Sequence, residues 1–463
     1  MEHRYLFLDL HDITRIEGLY RKMHQPERHS ENPILQGENP WESLASLYGT
    51  TLYDPQDKLF KMWYLTGPYV EGMVQVRNRQ ALGNITLLGY ATSTDGIHWE
   101  KPTLNQVDFN GSTENNLIDV GRTNCEGMAV LYDHNESDPD RRYKGFYWEH
   151  GGIDVFIQHN GRTIWGQGDG DGMWMSFSPD GVNWTNYEDN PVIPLGSDST
   201  QSLVWDPNIE KYVVFGRFGA GGRKTARAES IDCIHFSEPK LVLECDEIDE
   251  GGTQIYGMPI NIYEGIYLGM IWIYRERVDG TIDTSLAMSR DGIKWQRVLD
   301  RQTFLTLGEK DSWEDGMTRI SQNFIIYNDQ IYLYYGGVNG PHTGSKFKQV
   351  ERKYQSMLGL ATLRRDGFVS LNADQEEGML LTKPLTLTGN DLHLNVDASQ
   401  GYVKVAVTDD IGTPLENYTS NHIVVDSVDT IVEFQHSLKA LQGKEVRLKF
   451  QLRDASLFSY WFA

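Results

Sequence analysis

Cysteine is scarce in this chain. Cys125, Cys233 and Cys245 are the three in 463 residues, an odd number in a large protein, which excludes a disulfide framework as the source of stability. No stretch approaches 18 consecutive apolar residues, which excludes a membrane-crossing helix. Positive charge is in deficit: 42 Lys and Arg face 65 Asp and Glu, a net charge of −23. That balance argues against nucleic acid and membrane surfaces as partners. The opening "MEHRYLFLDLHDITRIEG" lacks the long apolar region and small-residue cleavage site of a secretory signal. The expectation is a cytoplasmic protein, or a secreted one if a leader has been trimmed. No glycine-rich phosphate loop of nucleotide-binding spacing precedes a helix. The 13 histidines form no close pair on a helix, and "GQGDGDG" at 166–172 lacks EF-hand ligand spacing. No metal or cofactor is therefore expected, a structural calcium ion in a central channel being left open. Composition leaves the oligomeric state undetermined.

Aromatics and glycine, by contrast, are abundant (12 Trp, 24 Tyr, 17 Phe, 45 Gly), the profile of many short strands joined by turns. One turn recurs. "STDGIHW" (93–99), "SPDGVNW" (178–184), "SIDCIHF" (230–236) and "SRDGIKW" (289–295) share it, with a decayed copy, "RRDGFVS", at 364–370. A catalytic group is needed once, so repetition marks a structural unit. A second motif interleaves with it: an apolar strand ending in an aromatic, a polar turn, and a returning apolar strand. The aromatics are Tyr53, Tyr132, Trp205, Tyr263 and Tyr327. Each unit then reads as strand, tight turn, strand, variable loop, strand, Ser-x-Asp-Gly turn, strand. The third strands are "LLGYATS" (87–93), "MWMSFS" (173–178), "TSLAMS" (284–289) and "MLGLAT" (357–362). Four antiparallel strands repeated five times predict an all-β, five-bladed β-propeller over 1–374, with residues 1–40 as an N-terminal wrap. Alternating segments such as "VRLKFQLRDASLFSYWFA" predict a C-terminal β-sandwich over 375–463.

Blade topology separates scaffold from site. Both repeated turns lie on one face of such a disc. There Asp54, Asp95, Asp180, Asp206 and Asp291 have a structural reading: Asp bonds local backbone N–H groups and Gly supplies a positive φ. The other face gathers the long, irregular loops, where binding groups concentrate. Those loops carry Trp41 and Glu42, Asn115 and Asn116, Glu126, Asp198, Glu250 and Tyr256, and Asp315, together with Arg217, Arg275 and His342. Carboxylates can act as acid, base or nucleophile on a glycosidic bond, aromatics stack on sugar rings, and amides and guanidinium groups fork hydroxyls. Glu126, with Glu250 or Asp315, forms the expected catalytic pair. Trp41, Glu42, Asn115, Asn116, Asp198, Arg217, Tyr256, Arg275 and His342 are expected to bind substrate.

The stretches "YGTTLYD", "ENNLI", "RRYKGFYW", "SRDGIKW" and "LRDASLFSYWF" resemble the five-bladed propeller glycoside hydrolases of families 32, 43, 68 and 130. The nearest likeness is to bacterial proteins described as family 32 N-terminal-domain-like. The resemblance spans nearly the whole chain. It implies release of a terminal sugar, furanosides among them, from an oligo- or polysaccharide. The Asn-Asp-Pro-Asn-Gly, Arg-Asp-Pro and Glu-Cys motifs of family 32 are absent, so fructanase activity is not carried over. Arg217, Arg223, Lys224, Arg275 and His342 also leave a family 130-like phosphorylase as an alternative. A non-catalytic carbohydrate-binding propeller is the other.

Overall fold

The computed structural model describes residues 3–121, 124–150, 156–159, 162–165, 170–218, 222–342 and 353–463. The chain is all-β, with helix confined to short 3-10 turns such as Pro139–Arg141 and Leu438–Leu441. Among the described residues no helix is long and apolar enough to cross a membrane.

The apolar runs become antiparallel strands in sequence order. In the first repeat Leu59–Gly67 lies between Leu44–Asp54 and Leu87–Ser93, and Thr92 bridges to Glu100. The second orders Glu126–Tyr132, Tyr143–Glu149, Gly172–Ser178 and Thr185–Asn186. The third orders Ser202–Asp206, Lys211–Gly216, Thr225–Ser230 and Lys240–Leu243. In the fourth, Ile266–Arg275 pairs with Thr253–Gly257 and Ile260–Tyr263 on one side and Ile282–Ser289 on the other. In the fifth, Gln330–Val338 lies between Met317–Ile320 and Ser356–Arg364. The second strands are buried along nearly their whole length, as strands covered on both faces must be.

Neighbouring repeats share apolar clusters. Leu52 and Trp63 pack with Met128 and Tyr143, Phe146 and Met175 with Leu203 and Val214, and Val213 and Phe215 with Ile260 and Ile271. Trp272 and Tyr274 pack with Met317 and Val338, and the last repeat returns to the first through Ile325 and Tyr334 against Phe60 and Met62. A buried aspartate at the end of a first strand, or just beyond it, accepts a hydroxyl proton from the next repeat. Tyr143 donates to Asp54, Tyr267 to Asp206, and Tyr212 to Asp133 at 2.5 Å. Lys61 Nζ lies 2.7 Å from Asp54 Oδ2, both side chains buried.

The recurring Ser-x-Asp-Gly turn is scaffold. Asp95 Oδ1 accepts from the backbone of Ile97 and His98 at 2.8 and 2.9 Å, and Ser93 Oγ accepts from Gly96 N at 2.8 Å. Asp180 and Asp291 repeat the pattern. The fifth copy diverges. Asp366 takes Arg4 Nη1 at 2.9 Å, the Tyr263 hydroxyl, and Ser459 Oγ at 2.5 Å, and so ties the chain's start to its end.

The end of the fifth repeat differs from the sequence expectation. Val369–Ala373 pairs with Ala455–Phe462, and Glu27–Arg28 takes the place beside Ser356–Arg364. Segments within the first 40 residues are strand partners. Arg4–Leu6 and Tyr20–Met23 join the sheet of Ala455–Phe462, while Ile13–Glu17 joins that of Glu445–Arg453. The reason is the alternating burial of segments such as Glu445–Arg453, which leaves an apolar face to be covered. One cluster containing Leu394, Phe450 and Leu457 also takes in Met270, Leu286 and Leu333 of the fourth and fifth repeats.

Burial alone would raise the Asp54 carboxyl, but bonds from Lys61, Tyr143 and the Asp57 N–H outweigh it and hold the group at about 2. A folded value below the unfolded one means that the stabilisation is full above the ordinary carboxylate range and is lost as pH falls toward 2. Asp54→Ala strips the buried Lys61 of one of its two carboxylates, Asp57 remaining at 2.6 Å, and removes the acceptor of the Tyr143 hydroxyl, so urea unfolding at pH 7 should show a loss of about 1–3 kcal/mol. The difference from the parent protein should shrink below pH 4.

Candidate active site

Three first strands are bulged where they open at one end of the repeats. Between Ser46 and Thr50 the register slips around Tyr48; between Glu126 and Ala129 it slips just after Glu126; between Ile255 and Gly257 it slips at Tyr256. A bulge re-aims the side chains beside it. Tyr48 and Tyr256 thereby come within hydrogen-bonding reach, and Glu126 and Tyr256 both act on the Tyr69 hydroxyl, so the three side chains border one space. At Gly127 the φ is +67°, and an added Cβ would lie 2.6 Å from Ser199 O, so only glycine fits behind Glu126.

Glu126 Oε2 lies 3.1 Å from His150 Nε2, and the His150 ring stacks on Trp148 at 4.0 Å. Facing it is Asp198, carried by a short loop that the buried Gln201 holds. Gln201 Nε2 donates to Ser197 O and Ser199 O, and Ser199 Oγ donates to Tyr256 O. The Asp198 side chain is 63% exposed, and Arg217 Nη2 approaches it at 3.2 Å. Its carboxyl is nevertheless pushed up, first by the surrounding protein and then by the negative charge of Glu126; Arg217 opposes the shift. Exposure together with desolvation describes a group that lines a recess. Tyr69 shows the same combination: it is 43% exposed, with a hydroxyl pushed up by burial and then by Glu126.

The rest of the wall is aromatic and cationic. The Tyr256 hydroxyl meets His342 Nε2 at 2.9 Å, and Arg217 and Arg223 lie 5.7 and 5.3 Å from the Tyr256 ring. Arg319 Nη1 donates to the Tyr48 hydroxyl at 2.8 Å. His342 falls to about 4, through burial first and then Arg319, Arg223 and Arg217. It is therefore neutral at pH 7, a hydrogen-bonding group rather than a cation. Tyr354 also feels the charge of Arg319. Among the described residues no group of three or more His, Cys, Asp or Glu could hold a metal ion.

Of the residues expected from sequence, Glu126, Asp198, Arg217, Tyr256 and His342 come together here. The others are placed differently. Glu42 is buried, its carboxylate bonded by the Tyr64 hydroxyl, Asn116, Asn39 and Lys101. Asn116 also donates to Tyr90 O and accepts from Trp41 Nε1, while Asn115 donates to Val107 O. Trp41, Glu42 and Asn116 thus form an internal network, and Asn115 is taken up separately by backbone groups of its own loop. Arg275 pairs with Asp283 at 2.9 Å. Asp315 accepts from the backbone N–H groups of Asp311 and Gly340 and so braces two loops. Glu250 is exposed on the turn before Thr253–Gly257, and its backbone carbonyl accepts from Thr253 N. The described bonds of Glu250 and Asp315 are thus to backbone groups of their own and neighbouring loops. Residues 166–169 of the "GQGDGDG" stretch, and parts of the loops at 149–170, 218–225 and 338–356, lie outside the described residues.

Tyr48, Tyr69, His150 and Tyr354 were missed. A signal for the bulges existed: Tyr48-Gly49, Glu126-Gly127 and Tyr256-Gly257 stand at matching positions in three repeats.

No protein-family model matches the chain, and no curated protein matches it. Among solved structures it is similar to an N-acetylgalactosamine deacetylase from F. plautii in complex with blood group B trisaccharide. That match has 14% identity and a TM-score of 0.47, covering 75% of this chain and 96% of the other. It is also similar to a β-fructofuranosidase from Schwanniomyces occidentalis complexed with fructosyl-erythritol (12%, TM-score 0.43, covering 95% and 97%). A third is a family 43 arabinoxylan arabinofuranohydrolase from Bacillus subtilis in complex with cellotetraose (10%, TM-score 0.40, covering 95% and 99%).

Gly127→Ala should cost about 1–3 kcal/mol in backbone strain and also separate Glu126 from His150. Gly111, at φ +86° with open space around it, is the control. Gly111→Ala should show the strain alone in thermal unfolding, and only Gly127→Ala should change the NMR chemical shifts of the His150 ring.

Proposed function

We infer that the chain is a five-bladed β-propeller with a C-terminal β-sandwich, and that its central recess cleaves the glycosidic bond of a terminal sugar. Supporting the ring is the order of the apolar clusters, in which the last repeat packs on the first. The observation that carries the chemistry is the approach of two carboxylates, Glu126 and Asp198, inside one aromatic-lined recess where each has a positioning partner.

The roles follow from the environments. Neighbouring carboxyls disfavour each other's ionisation, and the one with the raised value is the better proton donor. Asp198 is that group, so it is the general acid that protonates the leaving oxygen. Glu126 takes the partner role, acting on the anomeric carbon directly or through a water. His150 holds the Glu126 carboxylate at one oxygen and leaves the other for the reaction. Tyr69 and Tyr256 offer ring faces for the sugar, and the neutral His342 offers a hydrogen-bonding edge. This pairing replaces Glu250 and Asp315 as partners of Glu126.

Glu126→Gln and Asp198→Asn should each lower kcat at least about a hundredfold, as expected for loss of an acid or base. Glu250→Gln should leave it unchanged. The assay is aryl-glycoside hydrolysis across a panel of pyranosides and furanosides. If Glu250→Gln is the damaging change, the pair is misassigned. In the parent enzyme kcat/KM should fall as pH rises through the Asp198 value, because the acid then loses its proton. Asp198→Asn should abolish that alkaline limb.

A further inference from the structure

Three guanidinium groups converge on this recess in a chain whose net charge is −23. Arg319 is 6% exposed, and its Nη atoms donate to the Tyr48 hydroxyl and to Ser46 Oγ, at 2.8 and 3.3 Å. Its guanidinium lies 4.8 Å from the Tyr48 ring and 5.7 Å from Trp272. Among the described residues no carboxylate pairs with it. A buried cation is normally paired, because desolvating a lone charge is costly.

Two further donors are unused. Arg217 Nη1 and Arg223 Nε are enclosed and have no acceptor among the described residues. Both side chains lie over Tyr256. The carboxylates at hand do not neutralise the group. Asp198 meets Arg217 through a single oxygen at 3.2 Å, and Glu276 stands 3.6 Å from Arg223. Arg217 and Arg223 share the Tyr256 ring, whose hydroxyl meets His342, and Arg319 lies over Trp272, which stacks on that same ring.

The geometry points to an oxyanion subsite formed by Arg217, Arg223 and Arg319 against Tyr48 and Tyr256, which takes a negatively charged group borne by the sugar. This assignment rests on the glycosidase reading for the bond that is cleaved, but not for the anion that is bound. A planar guanidinium fork matches a carboxylate or a phosphate or sulfate ester through paired bonds. An acidic surface repels such a group everywhere else, so affinity must come from a local cluster of this kind. The shared chemistry is an oxyanion with at least two free oxygens, its source being a uronate or ester on the sugar or free inorganic phosphate.

The test compares 4-nitrophenyl glucuronide and galacturonide with the matching glucoside and galactoside, with and without inorganic phosphate. Calorimetric titrations of glucuronate and of phosphate run in parallel. An acidic glycoside should be preferred in kcat/KM by at least about tenfold, the scale of a charge-assisted pair. Arg319→Gln and Arg223→Gln should erase that preference while changing the neutral rate far less. Arg223 is the more open of the two side chains, so Arg223→Gln keeps the test alive if Arg319→Gln fails to fold. If phosphate instead accelerates cleavage of neutral glycosides and appears as glycosyl phosphate, the subsite stands and its source is the free anion. If glucuronate or phosphate binds, and Arg223→Gln weakens it about tenfold, while no glycoside is cleaved, the subsite stands and the glycosidase reading falls. Absence of acidic preference, together with no calorimetric binding of either anion at millimolar concentration, overturns the subsite.

Discussion

The hydrogen bond from a tyrosine hydroxyl to a buried aspartate of the preceding repeat is the constraint on which the rest depends. Asp54 with Tyr143, Asp133 with Tyr212 and Asp206 with Tyr267 join successive sheets at corresponding places. Each aspartate is buried, so an unpaired one would carry the full desolvation cost of a charge. The bond therefore sets how one sheet meets the next, and apolar side chains fill the wedge between them. With that relation repeated, the openings of the first strands have to converge, and the bulges at Tyr48, Glu126 and Tyr256 turn their side chains into the shared space.

The recess departs from the rest of the molecule in both charge and solvation. The surface is strongly acidic, yet Arg217, Arg223 and Arg319 surround Tyr256 and His342, and two carboxylates face one another nearby. Such an arrangement is unfavourable for the empty protein. It raises Asp198, depresses His342 to about 4 and leaves enclosed donors without acceptors. Groups left unsatisfied in this way are what marks a candidate site. Glu42 gives the contrast: a carboxylate equally conspicuous in sequence, it is closed into a four-partner network.

Much of the scaffold was legible in the sequence. The Ser-x-Asp-Gly turns announce their own hydrogen bonds, and the third strand at Leu87–Ser93 has the bounds that its apolar run suggests. The chain's crossings were less legible. That Val369–Ala373 joins the C-terminal sheet while Glu27–Arg28 completes the fifth repeat is decided by which apolar face lacks a cover, a long-range question that local periodicity does not answer. Glu126, Asp198, Arg217, Tyr256 and His342, read from the irregular loops as candidates, lie near one another in the structure. Glu250, Asp315 and Arg275 lie on the same loops but face outward or bind backbone or Asp283. Loop membership fixes a neighbourhood and not a direction. Tyr48 and Tyr69 were hidden because an aromatic in a strand-rich segment reads as core until a bulge is seen.

The central claim is that Glu126 and Asp198 act as one electrostatically coupled pair. Carboxyl-detected NMR on protein labelled at the aspartate side chains measures it directly, by following Asp198 with pH in the parent chain and in Glu126→Gln. Asp198 should titrate above the ordinary aspartate range in the parent protein and move down once the neighbouring charge is removed. A value in the ordinary range that does not respond to Glu126→Gln would contradict the account.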